Sequence, residues 1–462
     1  MKISAQKLTN LLNAGFPAIW IKTSEPERIA SEVCPMVEGY SCLNWDLTLS
    51  NNPNDPITQL LEATENSIMF AFNYHWFLSK PGPIQALKNS LVEFSATSKC
   101  FAVISHMVSI PKELEKDFIV MELALPGEES IESTINQITS GLELKAPVNT
   151  AKVVAASKGL TQRELENIYS LSLVENKTID PKTVNDFKEQ TIEKTGFLSV
   201  LKSERKFDSI VGYSVVKDFI LGTIDNPDAK GVILIGPPGC GKTSLAEAIV
   251  GETGKFGISV DMGKLFSKFV GETDKNIDYA IELISSIGNC LVLIDEMEKS
   301  FAGASSSGDG DSGTTRRALA KWLNFLQSRP KGVYIIATCN SFKGMPPEYL
   351  RPGRWDTSPF YMDLPNAEVR QEIISYYADK KSIKIKKTEA KALENYSGAE
   401  LEAIINIMAM TKKSFQDSLN FVIPIARTMP EDINQLRQWA SKSTIPADSE
   451  QTKTLTRKLK ID

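Results

Sequence analysis

Three short runs of residues hold most of the chemistry this sequence offers. The first is Gly236, Pro237, Pro238, Gly239, Cys240, Gly241, Lys242 and Thr243, followed by Ser244. Glycines at these spacings let backbone N–H groups converge on an anion. Lys242 adds a mobile positive charge, and the Thr243 hydroxyl is a hard ligand of the kind a divalent cation accepts. Together they suit the β- and γ-phosphates of a nucleotide with Mg2+. A Gly/Pro turn without a ligand is the plain alternative. However, an apolar run at 232–235 precedes the loop and a helix-forming stretch at 244–250 follows it, the context a phosphate cradle needs. Cys240 reads either as a redox-sensitive thiol or as a small residue that a backbone cradle tolerates.

The second run, residues 290–294, is apolar and ends in Asp295 and Glu296. A carboxylate at the end of a buried strand can hold a magnesium shell, and its neighbour can take a proton from an attacking water. Asp295 is therefore read as the metal-side group and Glu296 as the base. Glu298, two residues on, reads as a solvated position beyond the strand. The third run, 333–337, leads into Thr338, Cys339 and Asn340, which puts an amide at the carboxyl edge of the sheet. Asn340 can orient the water there; alone it would be an ordinary turn residue.

These groups need elements to hold them, and the hydrophobic pattern supplies two α/β series. Strand-sized apolar runs at 18–22, 43–47, 68–72, 101–104 and 119–125 alternate with amphipathic segments, as in a parallel α/β sheet. Residues 151–194 lose such runs and take helical spacing, with Thr161 and Glu164 placed as a capping box and Leu165, Ile168 and Leu171 on one face. A second series has runs at 232–235, 258–260, 291–294, 333–337 and near Phe360, then helical periodicity from 368 to 439. The expected division is 1–148, an α/β domain; 149–205, a helical unit and linker; 206–364, the large α/β domain; 365–440, a helical lid and C-terminal helices; and 441–462, a polar tail expected to be mobile. No short repeat is present, yet both halves run α/β first and helical second.

The 462 residues are 42% hydrophobic and 24% charged, which excludes a disordered chain, a collagen or a small disulfide scaffold. With 52 Lys and Arg against 57 Asp and Glu the net charge is −5, so no bulk positive field argues for a nucleic-acid partner. Six scattered cysteines without a paired spacing suit reduced thiols in a cytosol-like compartment. No apolar run approaches the roughly 18 residues of a membrane span. Gln6, Thr9, Asn10 and Asn13 break up any leader-like apolar stretch. The expectation is a soluble, cytoplasmic protein. His75 and His106 have no zinc-site spacing, so no metal beyond magnesium is expected.

Residues 207–409, with these three runs and the stretch Arg351, Pro352, Gly353, Arg354, Trp355 and Asp356, resemble the AAA+ ATPases, and within them the AAA subgroup. The resemblance implies an α/β P-loop NTPase sheet with a helical lid, ATP and Mg2+ as ligands, and a ring. That ring is usually a homo-hexamer in which each nucleotide is completed by the neighbouring subunit. It further implies that Arg351 and Arg354 are arginine fingers reaching the neighbour's γ-phosphate. Ile210, Val211 and Gly212 match the family's adenine-side segment, and Gly398 and Ala399 its second sensor region, here without an arginine at Ala399. Lys268, Phe269, Val270 and Gly271 match the axial pore loop, whose aromatic grips a polypeptide in threading members; Phe269 can equally be a staple packed on a neighbour. Trp355 departs from the family's usual Phe. The Gly/Ser/Asp-rich stretch 303–315 reads as an insertion, and Arg316 and Arg317 after it either act between subunits or lie on a solvated helix face.

The whole chain also resembles a narrower group, the AAA ATPases of hypothetical chloroplast open reading frame forty-six, encoded in plastids, cyanobacteria and other bacteria. Residues 14–21, 23–28, 111–114, 295–299 and 436–439 carry that likeness. For a plastid-encoded member the compartment would be the stroma, and the group's link to regulation of photosynthesis would apply in a photosynthetic source.

If the first domain is arranged like the second, the loop after 18–22 should bind phosphate. It reads Thr23, Ser24, Glu25, Pro26, Glu27, Arg28, with no glycine and no lysine. Glu25 and Glu27 would repel a triphosphate, and the run 68–72 ends in Asn73 where a metal carboxylate would stand. A degenerate, non-hydrolysing ATPase-like domain is expected, serving docking, ring assembly or substrate choice. Trp45, Tyr74, His75, Trp76 and Phe77 are either an interaction surface or core. The leading expectation for the whole chain is an ATP-hydrolysing ring motor that remodels or assembles a protein partner. An ATP-dependent binding switch without threading is the second, and a nucleic-acid motor the third.

Overall fold

The computed structural model describes residues 3, 5–23, 25–37, 39–123, 125–266, 272–299, 312–343, 345–351, 353–385 and 393–448. The chain forms two compact units, Met1–Val184 and Asn185–Asp462.

In the first unit five parallel strands, β1 (Ala18–Lys22), β2 (Ser41–Trp45), β3 (Ser67–Phe72), β4 (Cys100–Ser105) and β5 (Phe118–Glu122), line up in the order β2-β3-β4-β1-β5. Side chains of a strand alternate between faces. Trp20 thus joins Met69 and Phe101 in one buried cluster, while Ile19 and Ile21 join Phe70 and Ile104 in another on the opposite face. A sheet covered on both faces needs apolar residues at every position of its inner strands, which explains their unbroken apolar runs. Trp45 and Tyr74 are fully buried in this core, whereas Trp76 is exposed. After the sheet, the helix Gln162–Asn176 starts with the expected capping box between Thr161 and Glu164.

The described residues of the second unit form seven strands: β6 (Leu198–Val200), β7 (Gly231–Ile235), β8 (Phe256–Val260), β9 (Cys290–Ile294), β10 (Val333–Cys339), β11 (Phe360–Tyr361) and β12 (Ile445–Pro446). Their order is β12-β11-β7-β10-β9-β8-β6, all parallel except the edge strand β6. The two edge strands escape the sequence reading because each is only two or three residues long. The expectation of a mobile tail from Ser441 is corrected up to Asp448: Ile445 pairs with Phe360, Ala447 is fully buried, and Asp448 Oδ2 accepts the Tyr213 N–H at 2.9 Å.

The two sheets repeat one another. Read from the β5 edge, the first runs β5-β1-β4-β3-β2, and the matching five strands of the second run β11-β7-β10-β9-β8. The register agrees as well. Lys22 pairs with Ser105 and Glu122, as Ile235 pairs with Cys339 and Tyr361. Thr23 N–H donates to Ser105 O at 2.9 Å, as Gly236 N–H donates to Cys339 O at 3.2 Å. Thr23 therefore stands where the second unit has Gly236, and His106 where it has Asn340. In such sheets the carboxyl ends of the central strands form a crevice where ligands bind.

Candidate active site

In the second unit the loop 236–243 leaves the carboxyl end of β7 and turns into the helix Lys242–Thr253. Two of its glycines are required by close approach: a Cβ on Gly236 would sit 2.0 Å from Met362 O, and one on Gly239, at φ +81°, 2.7 Å from Ser397 Oγ. Lys242 is 6% exposed, and its Nζ donates to Gly236 O and Pro237 O, both at 2.8 Å. Burial lowers the Lys242 pKa, opposed by nearby acidic groups that include Glu298 and Asp295. Cys240 is buried, and burial pushes its thiol up to about 12, so in this conformation it is protonated and inert.

Thr243 and Asp295 meet: Thr243 Oγ1 donates to Asp295 Oδ1 at 2.9 Å. Thr338 Oγ1 donates to the same oxygen and in turn accepts the Glu296 N–H at 2.9 Å. A hydroxyl and a carboxylate in contact are an oxygen donor set that fits Mg2+. Glu296 sits in the left-handed backbone region at φ 50°, a conformation that costs a residue with a Cβ about 1 kcal/mol or more and that clusters at functional sites. Its carboxylate takes a 3.4 Å contact from Asn340 Nδ2 and an ion pair from the exposed Lys299. That bond raises the Lys299 pKa.

These groups border one cavity of about 330 Å³, within the range of ligand pockets. Pro238, Gly239, Cys240, Gly241, Lys242, Thr243, Ser244, Asp295, Glu296 and Asn340 line it, with Ile210, Val211, Gly398 and Ala399 on other sides. Gly236, Pro237 and Gly212 are not among the lining residues. Pro237 instead borders, with Asn340 and Phe342, a second cavity of about 210 Å³. The helix Gly398–Thr411 begins with a capping box between Ser397 and Glu400, and its Ala399 N–H donates to Gly239 O at 3.1 Å. Lid and phosphate loop are thus tied directly.

Several lining residues carried no sequence signal. Thr338 was visible only as the residue two before Asn340. Ile373, Tyr376, Tyr377 and Glu402 come from two lid helices, Ala367–Lys380 and Gly398–Thr411. Tyr213 Oη donates to Cys240 O at 2.8 Å, and burial holds its pKa well above 10. Glu298 corrects an expectation. It is half-buried, its Oε1 accepts the Asn340 N–H at 2.9 Å, and its Oε2 is buried.

Arg351 is exposed and Arg354 is half-buried, its guanidinium donating to Glu348 O; neither lines the cavity of its own chain. The loop that carries them ends at Asp356, whose Oδ2 accepts the N–H groups of Lys230 and Gly231, both at 2.7 Å. That anchors it at the amino end of β7, the far end of the strand from the phosphate loop. Trp355, in the same loop, is buried and donates to Tyr349 O at 2.6 Å. Lys268, Phe269, Val270, Gly271 and residues 303–311 of the stretch 303–315 lie outside the described residues, as does the side chain of Arg316, whereas 312–315 open the helix Ser312–Ser328 and are not part of an insertion.

In the first unit the matching loop is filled by its own side chains. Glu25 and Arg28 are 1% and 5% exposed and pair at 2.8 Å, and Arg28 also holds Glu32 at 2.7 Å. Burial raises the Glu25 pKa against the lowering effect of Arg28. His75 and His106 have their ring centroids 5.7 Å apart at the carboxyl edge of the sheet. No group of three or more metal-ligating side chains occurs among the described residues. None of the described helices is long and apolar enough to cross a membrane.

Comparison with known proteins places both units. Residues 232–361 match the family described as "ATPase family associated with various cellular activities (AAA)", and residues 4–123 match "SpoVK-like AAA ATPase, N-terminal domain". The chain is similar over nearly its whole length to two proteins named "Uncharacterized AAA domain-containing protein ycf46". One, from Guillardia theta, is 27% identical over 94% of each chain; the other, from Gracilaria tenuistipitata, is 29% identical over 94% of this chain and 97% of its own. The "Cell division cycle protein 48 homolog" of Archaeoglobus fulgidus is 28% identical over 57% of this chain and 38% of its own length. With the loop 236–243, strand-end carboxylates and a helical lid around one cavity, and an α/β sheet of matching strand order ahead of them, the chain carries an AAA ATPase domain at 232–361 behind a SpoVK-like AAA ATPase N-terminal domain at 4–123.

Proposed function

We propose that this chain hydrolyses ATP with Mg2+ in its second unit, as a ring-forming motor that remodels or assembles a protein partner chosen through its first unit. The observation that carries the reading is the convergence of Lys242, Thr243, Asp295, Glu296 and Asn340 on one cavity. In it Lys242 exchanges its two carbonyl partners for phosphate oxygens, and the backbone N–H groups of the loop cradle the same phosphates. Thr243 and Asp295 would hold Mg2+, which would supply neutralising charge to the phosphates. Glu296 accepts the proton of the attacking water while Asn340 orients that water. Ile210, Val211, Tyr376 and Tyr377 enclose the base and sugar.

Arg351 and Arg354 serve a neighbouring subunit, since their loop is anchored at the far end of β7 from the cavity. This fits a closed ring, and a hexamer is the size the family favours. A cytosol-like compartment, or the stroma for a plastid-encoded chain, fits the cysteine pattern and the ycf46 relatives. A second reading, an ATP-dependent binding switch with slow turnover, draws on the Glu296 carboxylate being engaged by Lys299. Threading through Phe269 separates the two. In the motor, Phe269→Ala keeps ATP turnover and abolishes remodelling of the partner; in the switch it changes neither. The first test is ATP turnover of the full chain against its Glu296→Gln variant, with assembly mass measured with and without ATP. Equal turnover, or the absence of any ATP binding, refutes the proposal.

A further inference from the structure

Past the end of β9 three hydrogen bonds lace the chain to the carboxyl end of β10 and the residue after it. Glu296 N–H donates to Thr338 Oγ1, Met297 N–H to Thr338 O, and Asn340 N–H to Glu298 Oε1, each at 2.9 Å. The first two fix the carboxylate side of the site. The third fixes the amide side, and a side chain makes it.

Glu298 is an unusual choice for a plain structural acceptor. Its Oε2 is buried, and burying a carboxylate with so few donors around it is unfavourable. The Cys339 thiol is also against it, its pKa raised well above 9 by burial and then by the Glu298 charge. What the carboxylate gains is its bond to the Asn340 main chain and the field of the Lys242 ammonium. The contact it serves is loose: Asn340 Nδ2 lies 3.4 Å from Glu296 Oε1. The χ1 rotamer of Asn340 is one of three staggered wells chosen by its backbone φ and ψ, so the direction in which the amide leaves the chain follows the backbone.

We propose that Glu298 is a positioning residue for the reaction of this site: by holding the Asn340 N–H it aims the Asn340 amide at the water that Glu296 deprotonates. The inference rests on the roles given above to Glu296 and Asn340. It makes the third carboxylate after β9 part of the working geometry, although it does not line the cavity.

The test uses the full chain with Glu298→Ala, Glu298→Gln and Glu298→Asp. Glutamine retains an oxygen that can accept the same bond, whereas alanine has none and aspartate is one methylene short. Glu298→Ala and Glu298→Asp should lower kcat about tenfold or more while KM for ATP stays within about threefold, and Glu298→Gln should stay within about threefold of the parent in both. Hydrogen exchange at the Asn340 amide, read by fragment mass spectrometry, should be faster in the alanine and aspartate variants and unchanged in the glutamine variant. That second measurement needs no turnover, so it decides the role of Glu298 even if the chain proves not to hydrolyse ATP. If the alanine variant does not fold, the Gln and Asp pair carries the comparison. Parental kcat in the Asp variant with parental exchange at Asn340 overturns the proposal. So does a Gln variant as impaired as Asp, which would assign the effect to charge and not to the bond.

Discussion

Glu25 and Gln162, 137 residues apart in the chain, meet at 2.5 Å, the carboxylate accepting the backbone N–H. Gln162 is the first residue of its helix, so the carboxylate lies where unpaired N–H groups and the helix dipole favour an anion. The second unit makes the same kind of connection with the Ala399 N–H and Gly239 O. In both, a capped helix after the sheet docks on the loop that follows the central strand. The second unit keeps that loop rich in glycine, and the first has placed its own carboxylate and guanidinium there.

Glu25→Ala should therefore loosen the first unit. It removes one of the two carboxylates paired with the buried Arg28 and leaves Glu32, so the cost should stay below the about 3–5 kcal/mol of a fully broken buried pair. Hydrogen exchange over residues 150–176 should speed up while ATP binding by the second unit is unchanged. Parental exchange rates in that segment would show that the contact holds nothing.

In the proposed mechanism, replacing Glu296 by Gln removes the base and leaves the loop 236–243 intact. Turnover should fall roughly 10²-fold or more with ATP affinity little altered, because general-base catalysis contributes about that much. A radiolabelled phosphate-release assay alongside equilibrium nucleotide binding measures both.

In the proposed ring, Arg354→Ala subunits keep a complete cavity but offer no finger, and Glu296→Gln subunits do the reverse. Mixed rings should regain part of the activity that each lacks alone, since some interfaces then pair an intact cavity with an intact Arg354. No recovery in rings shown by mass to be mixed falsifies action across the interface.

His75 is 8% exposed, and its Nδ1 has no hydrogen-bond partner among the described residues; burial, and then the His106 ring, hold its pKa below 6.5. A base with a lowered folded-state pKa binds its proton better in the unfolded chain. Its contribution to stability is complete above about pH 6.5 and declines as the pH drops through the folded value, by at most about 1.4 kcal/mol per pH unit. His75→Phe should flatten that decline in denaturant melts of the first unit. The opposite contribution of Glu25, whose raised pKa favours lower pH, is common to both proteins and cancels in the comparison.

Cys240 should resist iodoacetamide. With its thiol pushed up to about 12, the thiolate at pH 8 is roughly 10⁻⁴ of the total, against about a quarter for an ordinary thiol of pKa 8.5. Peptide mass spectrometry at short labelling times should find Cys240 unmodified in the native chain and modified after denaturation. Rapid native labelling would mean that the phosphate loop opens.

The parts of the site legible in the sequence are those that depend on neighbours along the chain. The phosphate loop with its flanking strand and helix, Asp295 and Glu296 at a strand end, and the capping box at Thr161 are each set within a few residues, and each is found at its expected place in the fold. Strand runs were visible because inner strands of a covered sheet have no solvent-facing position. Glu298 was misread because its spacing from Ile294 matches an exposed turn, and only the return of β10 beside β9 puts the Asn340 N–H within its reach. Tyr376, Tyr377 and Glu402 lie on lid helices whose pattern says which face is apolar, not which loop that face meets.

Residue types and their local spacing set the chemistry proposed here: which groups suit phosphate and Mg2+, and that residues 23–28 lack them. Tertiary structure decided where that chemistry acts. It brought three strand ends and a lid to one cavity, anchored the Arg351 to Asp356 loop at the far end of β7, and filled the corresponding place in the first unit with Glu25 and Arg28. The physical reason is range. Backbone geometry and capping act over three or four residues, whereas burial and ion pairing act between whatever groups the sheet order makes adjacent, and that order is a property of the whole chain.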